Sequence, residues 1–89
     1  MMTIDEVFEE IKRERAYQEN KWGNFEQHPQ SLPGYLLIMK KELEEAEDGW
    51  MKNSTGRNHV LHEILQVATV AIACLEEHGN KSYLGNSDK

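Results

Sequence analysis

A single cysteine, Cys74, excludes an internal disulfide in this 89-residue chain. Its place inside an apolar segment reads as a buried small hydrophobe, and a chain without disulfides suits a reducing cytoplasm. Basic residues are scarce. Ten Lys and Arg stand against sixteen Asp and Glu, for a formal net charge of −6, which argues against the basic stripe of a nucleic-acid-binding surface. Long apolar runs are also missing. The longest, residues 61–75, falls short of the ~20 residues that span a bilayer and contains Glu63 and Gln66. The start, Met1-Met2-Thr3-Ile4-Asp5-Glu6, has neither the basic residues nor the apolar stretch of a signal peptide. The expectation is a cytoplasmic protein with no membrane segment. Also absent are a Gly-rich phosphate loop, a Ser/His/Asp order, internal repeats and any domain linker. The expectation is one small domain over residues 1–89, with a polar, loosely held tail at 81–89.

What is present is helical. Thr3-x-x-Glu6 has the capping-box pattern. Ile4, Val7, Phe8 and Ile11 follow as an apolar stripe, predicting a first helix over residues 5–20 whose later turns, from Lys12 to Arg15, are more exposed. Residues 20–32 contain Gly23, Asn24, Pro29 and Ser31 and read as a loop. Trp22 and Phe25 are unusual there, because large aromatics in a loop usually cover something. Ser31 can cap a second helix with Pro33 in its first turn. Its core seam is Leu36, Met39, Leu43, Ala46 and Trp50, while Lys41, Glu44, Asp48 and Lys52 form the solvated face. Asn53-Ser54-Thr55-Gly56 breaks that helix. A third is predicted over residues 58–78, stopping at Gly79-Asn80. It is apolar on almost every side and must be covered all round. Two other helices of so short a chain cannot easily do this, so the fold expected is all-α, three helices per chain, completed by a second copy into a four-helix-bundle-type core.

Glu42-x-x-Glu45 and Glu63-x-x-Gln66 are the most informative residues. Positions three apart share a helix face, so each pair aims two oxygen-bearing side chains one way. A carboxylate among the apolar neighbours of Glu63 is costly unless neutralised, and clustered oxygens suit a hard cation such as Mg²⁺. Glu44, Glu47 and Asp48 read as ordinary solvated acids. His62-Glu63-x-x-Gln66 superficially resembles the zinc motif His-Glu-x-x-His, but Gln66 replaces the second imidazole. A ferritin-like di-iron site would want Glu-x-x-His on its helices, and His59 and His62 do not follow a Glu at that spacing. His28, His59, His62 and His78 read as surface or capping residues.

These residues resemble the MazG-like all-α nucleoside triphosphate pyrophosphohydrolases, whose pattern is Glu-Glu-x-x-Glu, a gap, then Glu-x-x-Asp. Here Lys41 takes the first Glu position, Glu42 and Glu45 match the next two, Glu63 the third, and Gln66 stands where the family's metal-binding Asp belongs. The stretch from Arg15 through Gln18, Lys21, Trp22 and Gly23, with His28 shortly after, is similar to the small, stand-alone, phage-type members. The likeness runs over residues 9–79. It implies a Mg²⁺-dependent enzyme (Mn²⁺ as an alternative ion) that cleaves a nucleoside triphosphate to the monophosphate and pyrophosphate, working as a homodimer or homotetramer. Glu42, Glu45, Glu63 and Gln66 would be metal ligands, and Glu45 and Glu42 the catalytic pair, with Glu45 orienting the water. Lys21 would contact phosphate. Trp22 would stack on the base or serve as a hydrophobic lid; Arg57 would approach phosphate or pair with a neighbouring acid. The charge missing at Gln66 lowers the expected metal affinity. Two rivals follow: a catalytically weak nucleotide-binding or sensing protein on the same fold, and a helical interaction module without ligand, in which Glu63 pairs with a basic residue across the dimer.

Overall fold

The computed structural model describes residues 1–52, 56–80 and 82. It contains three helices, α1 (Ile4–Trp22), α2 (Leu32–Met51) and α3 (Arg57–His78), and no strand among the described residues. The chain is all-helical, as its periodicity predicts. Local chemistry sets the ends of the helices. The Thr3 hydroxyl accepts from the Glu6 backbone N–H at 3.2 Å while the Thr3 N–H donates to Glu6 Oε1 at 2.8 Å, a closed capping box. Ser31 Oγ accepts from the Gly34 N–H at 3.1 Å and Pro33 fills the first turn of α2. α1 ends at Gly23, whose φ of 94° only glycine adopts freely. A Cβ there would also meet the His28 ring at 2.6 Å. α3 opens behind Gly56 at φ 80° without a side-chain cap. It closes at Gly79, whose N–H donates to the Leu75 carbonyl; Gly79 is extended rather than left-handed. The expected breakers Asn53, Ser54 and Thr55, and the tail apart from Ser82, lie outside the described residues.

α2 packs along α3, and α1 leans on α3 alone. The core is small: Tyr35, Ala73 and Cys74, with Phe25, Met39 and Val70 packed against it. Cys74 is buried, as expected of a small hydrophobe. Ala46 and Thr69 are buried too, and the Thr69 hydroxyl donates back to the Leu65 carbonyl at 2.7 Å.

Two expectations are overturned in part. The α2 seam holds at Met39 and Ala46, but Leu36, Leu43 and Trp50 are 57–59 % exposed. Tyr35 takes the buried place, because its hydroxyl finds a partner on α3. The face of Lys41, Glu44, Asp48 and Lys52 is solvated as predicted. On α1 the expectation holds only in part: Val7 and Ile11 are half-buried and Lys12 and Arg13 exposed, as predicted, but the ends of the pattern depart from it. Ile4 and Phe8 are exposed, whereas the Arg15 side chain, expected in the open half, is only 13 % exposed. Hydrogen-bonding partners on α3 draw Glu14, Arg15 and Gln18 inward. By length and composition α3 is the one described helix that could cross a membrane.

Candidate functional site

The packing of α2 on α3 brings Glu42, Glu45 and Glu63 together, with one carboxylate oxygen from each lying within 4.8 Å of the others. Glu42 and Glu63 are half-buried and Glu45 is exposed. Burial raises the Glu42 pKa above its ordinary value; hydrogen bonding to Glu63 and the charges of Glu63 and Glu45 push the same way, and Lys41 pulls back. Glu63 takes a 3.2 Å contact from His59 Nε2 one turn away on α3. Among the described residues no lysine or arginine forms an ion pair with any of the three acids. Three crowded carboxylates, one of them driven toward protonation, are an all-oxygen donor set with unspent negative charge. That chemistry fits a hard divalent cation.

Because α1 touches only α3, a cavity of about 850 Å³ remains between α1 and the α2–α3 pair. Glu42 forms part of its wall, and Lys21 and Trp22 another part. Its size falls in the range of small-molecule and cofactor pockets. Lys21 Nζ sits 4.9 Å from the centroid of the Trp22 ring and 5.9 Å from that of Tyr17. Trp22 is 63 % exposed, so it does not seal the bundle.

Gln66 lines the same cavity but turns toward α1. Its Nε2 donates to Glu14 Oε2 at 2.8 Å and its Oε1 accepts from Gln18 Nε2 at 3.2 Å. The structure therefore joins Glu42, Glu45 and Glu63 in one cluster, and Glu42, Gln66, Lys21 and Trp22 around one cavity. Arg57 is exposed on the first turn of α3 and does not line the cavity.

Sequence reading noticed Arg15 and Phe25 but not the contacts by which they and Tyr35 build the rest of the wall. Arg15 Nε donates to Glu76 Oε1 at 2.6 Å, and its guanidinium lies 5.3 Å from the centroid of the Phe25 ring. Tyr35 donates to Glu77 Oε1 at 2.6 Å, and the Glu77 carboxylate also accepts from the Gln30 N–H. Burial, then the bond to Glu77, pushes the Tyr35 pKa up. These contacts tie the α1–α2 loop to the end of α3. Arg15 and Phe25 were visible in the sequence, but the acidic partners of Arg15 and Tyr35 lie more than forty residues away and leave no local trace.

No protein-family model, curated protein or solved structure matches this chain. The likeness to the MazG-like enzymes rests on its motif residues alone.

Proposed function

We propose that this protein is a Mg²⁺-dependent nucleoside triphosphate pyrophosphohydrolase of the MazG-like kind, with Mn²⁺ as an alternative ion. Glu42, Glu45 and Glu63 hold the cation and the adjoining cavity receives the nucleotide. One observation carries the reading: the acidic trio reaches, through Glu42, the same cavity that Lys21 and Trp22 line. A triphosphate is strongly anionic, and the trio alone would repel it. A bound divalent cation supplies the missing positive charge, polarises phosphoryl oxygens and lowers the pKa of a water.

The chain's own residues do the rest. Glu45, the most exposed of the three acids, orients the attacking water and takes its proton. The water oxygen bonds to phosphorus, the bridging P–O bond between the α- and β-phosphates breaks, and pyrophosphate and the nucleoside monophosphate leave. Lys21 approaches phosphate, and the exposed Trp22 offers a stacking face for the base.

Assembly belongs to the same reading. Leu36, Leu43 and Trp50 on α2, spaced by sevens, and Leu61, Ile64 and Leu75 on α3 are exposed apolar side chains on helices already packed together. A second copy covers them and completes a four-helix core, as a homodimer or, by doubling, a homotetramer. Covered in this way, α3 is the central helix of a soluble cytoplasmic protein rather than a membrane span.

A weaker relative, a nucleotide-binding or sensing protein on the same fold, is favoured by one observation: the Gln66 amide is engaged with Glu14 and Gln18 on α1. Pyrophosphate release from a panel of ribo- and deoxyribonucleoside triphosphates, with Mg²⁺ or Mn²⁺, decides between them. Metal-dependent release is expected; binding of triphosphate without release leaves the sensor.

A further inference from the structure

We propose that Glu14 and Gln18 read the nucleobase and select guanine, with Gln66 as the positioning residue that holds them. The proposal rests on the cavity being the nucleotide site and names the substrate class within it. All three residues line the cavity. Their hydrogen bonds run in one sense. A carboxylate only accepts, so the Gln66 NH₂ must face Glu14, to which it donates at 2.8 Å. The reverse amide orientation would set a carbonyl oxygen against a carboxylate. The same nitrogen lies 3.3 Å from His62 Nε2, which accepts its second hydrogen when the imidazole proton is on Nδ1. Gln66 Oε1 then accepts from Gln18 Nε2 at 3.2 Å.

Both Gln66 amide hydrogens and one lone pair of its carbonyl are thus engaged, and what remains on its partners is defined. Glu14 keeps Oε1 and Gln18 keeps its carbonyl and one amide N–H, none with a partner among the described residues. No buried side-chain polar atom there lacks a hydrogen bond, so these groups reach solvent. Glu14, Gln18 and Trp22 follow one another at single-turn spacing on α1, placing an acceptor, an amide and a stacking face along one stripe. Guanine presents O6 as acceptor beside N1–H and N2–H as donors, which matches an amide N–H beside a carboxylate. Adenine and cytosine put a ring-nitrogen acceptor next to their amino group. Uracil and thymine flank their single N–H with two carbonyls, which a carboxylate repels. Hypoxanthine keeps N1–H but lacks the amino group, and a site built for that group is left with an unpaired carboxylate.

The test uses nucleosides without phosphate and without metal, so it does not depend on catalysis. Guanosine, inosine and uridine are titrated into the wild-type chain and followed by the Trp22 indole resonance. Guanosine should bind roughly tenfold or more tighter than inosine, with uridine weakest. Glu14→Gln should weaken guanosine more than inosine and so bring the guanosine-to-inosine ratio toward one. Gln66→Leu should bring the same ratio toward one; a purely structural loss would weaken both nucleosides alike. Equal affinities in the wild type, no binding of any of the three, or a ratio that survives Glu14→Gln overturns the proposal. Pyrophosphate release with no base preference would defeat the guanine assignment and leave the hydrolase. Guanosine selectivity without release would do the reverse.

Discussion

Glu42 holds its proton more tightly in the folded chain than a free glutamate does, because burial and two acidic neighbours penalise its charge. The native state therefore binds a proton that the unfolded chain has released. Stability from this group is present in full below the unfolded pKa, near 4.5, and is lost as pH rises through the higher folded value. Without metal, the unfolding midpoint of the wild type should fall over that window, and Glu42→Gln should flatten the fall. Denaturant titrations at stepped pH measure it, and an unchanged slope in the variant would remove Glu42 from the cause. Gln66 gives a second prediction. Gln66→Asp replaces the donor to Glu14 with a carboxylate facing a carboxylate, and should cost on the order of 1–3 kcal/mol in the metal-free protein. Mg²⁺ should then raise the variant's melting temperature no more than the wild type's. A larger rise would return Gln66 to the cation's ligands. The trio was legible in the sequence because Glu42 and Glu45 share a face and Glu63 stands among apolar neighbours. The orientation of Gln66 was not, since Gln18 and Glu14 lie 48 and 52 residues away.

The first two helices begin where a short polar motif says they should, whereas α3 opens behind Gly56 with no side-chain cap. Thr3 with Glu6, and Ser31 with Gly34, are local contacts that a sequence displays in full. The Thr3 backbone and hydroxyl hold the Glu6 pKa below its ordinary 4.5. With the folded pKa lowered, the stability Glu6 lends α1 is present above 4.5 and lost as pH falls through the lower, folded value. Thr3→Ala should cost about 1 kcal/mol of stability and weaken that acid-side dependence, while Glu6→Gln should remove it, because the backbone N–H of residue 3 still bonds Glu6 in the alanine variant. Helix content and urea midpoints at neutral and acidic pH test both. Which side of a helix is covered proved less legible. Periodicity finds the apolar positions of α2, but only the path of its neighbours decides that Tyr35 turns inward while Leu43 stays outside. On α1 Val7 and Ile11 are half-buried as periodicity predicts, and the ion pair to Glu76 and the amide bond to Gln66 turn Arg15 and Gln18 toward the cavity as well. A charged segment that reads as solvent-facing can line a site when its partners lie on another helix.

As a whole the chain buries little: among the described large apolar side chains, fifteen are exposed, against a core centred on Tyr35, Ala73 and Cys74. Covering a Leu or Val contributes roughly 1.5–3 kcal/mol, so a single copy forgoes much of the stability its sequence offers. The wild type should sediment as a dimer or tetramer at micromolar concentration. Paired Leu43→Glu and Trp50→Glu should shift it toward the 10.3 kDa single chain with a lower melting temperature. A compact, stable monomer of the wild type by light scattering would refute the assembly. The central claim is that Glu42, Glu45 and Glu63 form a cation site serving a triphosphate. Calorimetric titration with Mg²⁺, alone and with a non-hydrolysable nucleoside triphosphate, addresses it most directly when run on wild type and Glu45→Gln side by side. The wild type should bind Mg²⁺, and bind the triphosphate only when Mg²⁺ is present; Glu45→Gln should keep its fold and lose at least tenfold in both affinities, on the order of 1.4 kcal/mol. Equal heats from the two proteins, or no heat from either, would contradict the account.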